Sequence, residues 1–341
     1  MGMTYAKAGV DIDAKSKAIA TLVKELSFQR KGFGAPVDIG GHFTGLIDFG
    51  ENYLSLCTDS VGTKSMVAEA LDKWDTIGID CIAMNANDMI CVGAEPLAFV
   101  DYIAVGKPRP KIVAAVGRGL SKGAELANLS IIGGETAVVP EMVHGLDLAG
   151  TCLGFVKKGA QITGSGIKAG DAVLGIESSG IHSNGLTLAR RVFREAKINL
   201  LDTLPGHETS VGEELLRPTH MYVRPILELI GKVEVRGLAN ITGGGLRNLL
   251  RLRPDVMVQI SAPMPPQPIF AVMQKLGKIS QTEMYQTFNM GMGFALVLPP
   301  VFSDTAIELL ARHGMLSAVV GKICKGSGVA LPKHKLKYTR Y

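Results

Sequence analysis

No Gly-Lys-Ser or Gly-Lys-Thr tripeptide occurs in the 341 residues, which excludes a P-loop. The dinucleotide pattern G-x-G-x-x-G is missing as well: Gly164-Ser165-Gly166 is followed by Gly170, one residue too late. Aromatics make up only 6%, and no Lys/Arg run exceeds the tail Lys333-His334-Lys335-Leu336-Lys337. With a net charge of +5, that argues against a nucleic-acid surface and fits a small anionic substrate. Cysteines are few: Cys57, Cys81, Cys91, Cys152 and Cys324, with no C-x-x-C pair. A disulfide framework and a zinc site are therefore not expected, and a reducing, cytoplasmic setting is. No run of 18 residues is continuously apolar, so no membrane span is expected.

What is abundant is glycine, 41 residues, clustered as Gly32-Phe33-Gly34, Gly40-Gly41, Gly133-Gly134 and Gly243-Gly244-Gly245. Such clusters serve tight turns and close backbone approach to a ligand. Apolar residues are 47% and charged residues 20%, an ordinary globular balance. The length predicts two domains. Periodicity predicts helices over 15–25, 77–92, from Pro110 to 127, and over 184–196, 222–229, 270–276 and 305–313, with a helix start at 245–252. Strands are predicted over 53–58, 97–105, 129–132, 146–156, 172–176, 256–260, 293–298 and 318–320. Residues 26–45 are expected to form a mobile loop. The polar stretch 157–171 is the expected boundary, giving domains 1–165 and 166–341. The mixture is α/β or α+β.

Several segments carry chemistry. Thr58-Asp59-Ser60-Val61-Gly62-Thr63-Lys64 joins a strand to a helix, where α/β proteins place ligand groups. Asp59 suits Mg²⁺, and Gly62 and Thr63 suit phosphate; equally, Asp59 or Ser60 is a helix cap. Asn85-Ala86-Asn87-Asp88 lies inside an otherwise apolar helix, so Asp88 needs either a metal or an unseen cationic partner. Gly133-Gly134-Glu135-Thr136 again follows a strand. Ser178-Ser179-Gly180-Ile181-His182-Ser183-Asn184-Gly185 reads as a phosphate cradle at a helix start, or as a decorated turn. Thr242-Gly243-Gly244-Gly245 is similar.

Taken in order, these stretches resemble the aminoimidazole ribonucleotide synthetases, or phosphoribosylformylglycinamidine cyclo-ligases. The resemblance rests on Tyr5 to Ile12, Asp59 to Lys64, Asp75 to Asp80, Asn87-Asp88, Gly93 to Pro96, Asp101-Tyr102, Gly133 to Thr136, Ser178 to Gly185, Thr242 to Gly245 and Glu283 to Asn289. It departs at Ser60, where the family usually has Gly, and at Met290, often Cys. It implies two αβ domains: an N-terminal sheet that pairs with its dimer mate into a barrel, and a C-terminal αβ sandwich. It implies ATP and Mg²⁺, leaves room for a monovalent cation, and makes formylglycinamidine ribonucleotide the substrate of a homodimer without nucleic-acid or membrane partners. It places ATP on Asp59, Gly62, Thr63, Lys64, Asn87, Asp88, Gly133, Gly134, Glu135 and Thr136, with the metal on Asp59, Asp88 and Glu135. Substrate falls to Ser179, Gly180, His182, Ser183, Asn184, Gly185, Thr242 and Gly243. His182, Asp59 and Lys64 are the implied catalytic groups. Rivals are formylglycinamidine ribonucleotide synthase and other ATP users of the same superfamily, and a non-catalytic nucleotide-binding dimer.

Overall fold

A computed structural model describes residues 2–341. Helix α1 (Ile12–Glu25) starts at Asp11, whose carboxylate accepts the Ala14 N–H, and buries none of its residues. Strands β1 (Pro36–Val37), β2 (Gly45–Phe49) and β3 (Asn52–Ser60) follow, so the expected mobile loop contains a short strand paired with β2. Helices α2 (Lys64–Leu71) and α3 (Asp75–Met89) lead to β4 (Glu95–Val105). Helix α4 (Pro110–Ala127) has its proline in the first turn and stops at left-handed Asn128. Strands β5 (Ser130–Val138) and β6 (Leu146–Lys157) complete a six-stranded sheet of order β1-β2-β3-β6-β4-β5.

Strand β6 alternates buried and open residues, so one face of this sheet is packed and the other is not. The packed face carries Cys57, Cys152 and Phe99 in one row, under α3 and α4. Those helices cross with their backbones in contact. A Cβ on Gly78 would lie 2.2 Å from the Leu120 nitrogen, and one on Gly119 2.1 Å from the Asp75 carbonyl. Glycine at both positions lets α3 sit close, and α3 carries Asp80, Asn85, Asn87 and Asp88.

After residues 158–171 the second half begins with β7 (Ala172–Glu177), α5 (Leu186–Glu195), α6 (Val211–Leu216), α7 (Val223–Ile230) and β8 (Gly237–Asn240). Then come β9 (Val256–Ile260), α8 (Pro268–Gly277), α9 (Gln281–Thr287) and β10 (Met292–Leu298). Helix α10 (Ser303–Arg312) and strands β11 (Ser317–Lys325), β12 (Gly328–Leu331) and β13 (Leu336–Tyr338) close the chain. The sheet order is β13-β12-β9-β11-β7-β10-β8. Every residue of β10 is buried, so both faces there are covered. The architecture is therefore mixed α/β with two sheets. Strands β8, β12 and β13 and helices α6 and α9 were not legible from periodicity, being three to seven residues long. Residues 245–251 form a 3-10 helix rather than the start of an α-helix.

Candidate active site

The two halves meet along α3. Asp80 and Lys64 pair at 2.8 Å, both side chains fully buried. The ammonium also donates to the Arg217 carbonyl at 2.7 Å. From the second half, Thr219 donates its N–H and its hydroxyl to Asp80 at 2.8 and 2.6 Å. Asn87 takes the Tyr222 N–H on its oxygen and gives its amide to the His220 carbonyl. Lys64 and Asn87, expected at ATP phosphates, are thus consumed in a clamp that holds residues 217–222 against α2 and α3. A buried ammonium satisfies itself with the nearest carboxylate, and no local pattern pairs Lys64 with Asp80, 16 positions along the chain.

Asp59 and Asp88 are brought together. Asp59 is the penultimate residue of β3, on the packed face, and its carboxylate accepts the Ser60 N–H at 2.7 Å. Asp88 takes the Asn240 amide from β8 at 2.8 Å. Burial pushes Asp88 up to about 7; the Asn240 bond and the Arg251 charge pull against this, and the Asp59 charge adds to it. Asp59 is also raised, by burial first, with the Ser60 N–H and the Lys15 charge opposing. Two carboxylates crowded and partly desolvated in this way gain from a shared cation. Mg²⁺ is commonly held by one or two protein carboxylates, with water and phosphate oxygens completing its shell. The residues present fit that ion.

Glu135 does not join them within one chain. Along the ladder Ser60 pairs Ala149, Ala149 pairs Tyr102, and Tyr102 pairs Glu135. That is three strand spacings, roughly 14 Å, from Ser60. The row also lies on the pleat opposite to Asp59, and Glu135 is exposed. No group of three or more His, Cys, Asp or Glu able to hold a metal ion exists among the described residues. Within one chain the expected three carboxylates therefore appear as a pair, Asp59 and Asp88, with Glu135 apart. Gly133, Gly134, Glu135 and Thr136 belong to β5 itself, an exposed edge, and not to a loop. Gly134 is needed there because a Cβ would meet the Asp101 carboxylate at 2.6 Å. Gly62 sits at a positive φ of 53° in the turn after β3, and Thr63 shares a 3.1 Å contact with the Thr187 hydroxyl.

The two loops expected at substrate do meet. A Cβ on Gly243 would touch the Asn184 side-chain oxygen at 2.7 Å. Loop 178–185 is pinned from beneath. Asn289 donates to the Gly180 carbonyl at 2.8 Å and accepts the Ser178 hydroxyl at 3.0 Å. Ser179 donates to the Pro218 carbonyl at 2.6 Å, and Ser183 lies 3.4 Å from the Thr219 hydroxyl. Gly185, left-handed at φ 78°, leads into α5. Asn248 braces the second loop through the Thr242 and Gly245 carbonyls.

His182 is buried with a left-handed φ of 62°. Its Nε2 accepts the Ser179 N–H at 3.2 Å. Burial holds its pKa well below 6.5, helped by the charges of His220 and Lys64. With Nε2 accepting that N–H, the ring anchors the loop, and its lowered pKa favours the neutral imidazole. Asn240, Asp80 and Asn289 escaped notice as site residues. Asn289 and Asp80 lie in quoted motifs, but Asn240 carries no local signal.

The acidic pair and the two Gly-rich loops thus lie at the junction of the two halves, where Asn240 of β8 bonds Asp88 and Asn184 reaches the Met84 sulfur of α3. The chain matches the family model of the AIR synthase related protein, N-terminal domain, over residues 41–156 and that of the C-terminal domain over 168–333. A phosphoribosylformylglycinamidine cyclo-ligase of Methanocaldococcus jannaschii is 48% identical over 324 residues, 94% of this chain and 92% of that one. The cyclo-ligase of Methanosarcina barkeri is 46% identical over 328 residues, 96% of each. Among solved structures, thiamine-monophosphate kinase from Stenotrophomonas maltophilia superposes with TM-score 0.64 at 19% identity, covering 94% of this chain and 96% of that one. The hydrogenase maturation protein HypE in complex with ATP gives 0.61 at 18% identity, with 82% and 81% covered.

Proposed function

We infer from the chain's membership of the AIR synthase related family, to which it belongs on both domain matches, that it closes the imidazole ring of formylglycinamidine ribonucleotide at the expense of ATP. The observation that carries this reading is identity of 46–48% to named cyclo-ligases along at least 92% of their length. It is an enzyme of the ligase type, acting in purine biosynthesis. ATP is supported by the interdomain acidic pair and by the same fold in a structure solved with ATP.

The chemical difficulty is the formamide oxygen, a poor leaving group. Transfer of the γ-phosphoryl of ATP to that oxygen gives an iminophosphate and ADP. Attack of the amidine nitrogen on the same carbon then expels phosphate and closes a five-membered ring, an intramolecular step favoured by proximity. Mg²⁺, when bound, neutralises phosphate charge. Asp59 and Asp88 are the side chains that would hold it. Asn240 fixes the orientation of the Asp88 carboxylate. The loops around Ser179, Gly180, Ser183, Asn184 and Gly185 and around Thr242 and Gly243 orient the ribonucleotide, and His182 holds the first loop in shape. Residues 217–222 keep both halves in register through Lys64, Asp80 and Asn87.

The open face of the first sheet is apolar. Leu56, Val100 and Tyr102 are 56%, 37% and 43% exposed, beside Leu54, Leu153 and Phe155. A second copy of the chain covers this face in our reading, which also brings Glu135 into the assembled interior. The activity is tested with formylglycinamidine ribonucleotide, ATP and Mg²⁺. Aminoimidazole ribonucleotide and ADP should appear in equal amounts. Turnover of the formamide precursor with glutamine or ammonia, and none of the amidine, would replace this reading by the synthase.

A further inference from the structure

Arg247 is buried and stands apart from the arginines that form ion pairs. Arg217, Arg236 and Arg253 each lie 2.6 Å from a carboxylate oxygen. Arg247 is only 8% exposed and has no carboxylate within ion-pair distance among the described residues. Its Nε has no hydrogen-bond partner, and one terminal nitrogen reaches the Gln286 carbonyl at 3.4 Å. The Tyr341 ring lies 5.8 Å from the guanidinium carbon, which packs the group without neutralising it. A guanidinium stays charged at any physiological pH, so a buried one with a free donor calls for an anion.

The side chain lines a cavity of about 90 Å³ between α9 and residues 4–13, with Thr4, Tyr5, Gln286 and Thr287. That is several times the space one water needs, which leaves room for an oxyanion. The carboxylate inside it, Glu283, is occupied: it accepts the Tyr5 N–H at 2.7 Å, the Thr287 hydroxyl at 3.2 Å and the Gln286 amide at 2.6 Å. Asp11 and Asp13 are at the exposed rim, Asp11 capping α1. Arg247 follows the Thr242–Gly245 loop by two residues, and α9 leads into Asn289, which holds the other substrate loop. The pocket therefore lies on segments that run directly into both Gly-rich loops.

We propose that Arg247 is the binding residue for a phosphate monoester in this cavity, namely the 5′-phosphate of the ribonucleotide substrate. The proposal rests on the cyclo-ligase reading. Residues 4–13 form the outer wall of this site.

The test compares wild type with Arg247→Gln and Arg247→Lys. Loss of a charged hydrogen bond should raise KM for the ribonucleotide roughly 10- to 150-fold in Arg247→Gln. KM for ATP should stay within about twofold, and Arg247→Lys should recover part of the loss. Calorimetric titration with ribose 5-phosphate should show binding to wild type and none to Arg247→Gln. An unchanged ribonucleotide KM, a rise in the ATP KM instead, or equal ribose 5-phosphate binding by both proteins would overturn the proposal. Thermal melts report folding, and Arg247→Lys carries the test if Arg247→Gln does not fold. A wild type that binds ribose 5-phosphate through Arg247 yet fails to turn over the ribonucleotide would sink the cyclo-ligase reading and leave the site standing.

Discussion

Replacing Lys64 by Met separates a structural ammonium from one that handles ATP. Lys64 and Asp80 are both fully buried, and the ammonium has two close oxygens, the Asp80 carboxylate and the Arg217 carbonyl. Burial lowers the Lys64 pKa, while the Asp80 charge and hydrogen bond raise it. Removing the cation leaves the Asp80 charge with only the Thr219 N–H and hydroxyl. Breaking one side of a buried pair costs about 3–5 kcal/mol. For a domain of this size that is a fall in Tm of roughly 6–20 °C. A companion Asp80→Asn change should return part of the loss, since the uncompensated charge is then gone. Denaturant unfolding and steady-state kinetics on the same preparations read the result. A Lys64→Met protein as stable as its parent, with a large rise in the ATP KM, would refute the clamp and restore the ammonium to phosphate.

Asp59→Asn should lower turnover by about tenfold or more while unfolding stays within ~1 kcal/mol of wild type, because a metal-facing carboxylate stabilises charge in the reaction and not the fold; normal activity with an unchanged Mg²⁺ requirement would remove Asp59 from the site. His42 is buried with both ring nitrogens unpartnered, and burial, then the Arg251 charge, lowers its pKa from 6.5 to about 4. Its neutral form is the folded one, so its stabilising contribution is complete above pH 6.5 and is lost as pH falls toward 4, by up to about 3 kcal/mol. His42→Phe should flatten that part of the stability–pH curve; a curve parallel to wild type would contradict it. Leu56→Glu combined with Val100→Glu should halve the mass seen by sedimentation, and a wild type that already sediments as one chain would end the covered-face reading.

Much of the first domain was legible because its elements are long and periodic. The helices around residues 77–92 and 110–127 and the strands β4 and β6 have apolar spacing that local physics reads directly. Asp88 stood out for the same reason, as a carboxylate within an apolar helix. The ordered motifs from Tyr5 to Asn289 were enough to place the chain in its family, since a set of short signals in fixed order is far more specific than any one of them. Short elements such as β8 and α9 were not legible, because their conformation is set by neighbours rather than by their own pattern.

Residue types alone fixed which groups can bind a metal, cradle a phosphate or carry a proton. They could not decide where each group spends that capacity. Strand order and pleat put Glu135 on the face opposite Asp59, and the packing of residues 217–222 drew Lys64 and Asn87 into a clamp. Tertiary contacts also left Arg247 buried with a donor to spare. Charge and hydrogen bonding are settled by distances of a few ångströms between segments far apart in the chain, and only the folded structure supplies those distances.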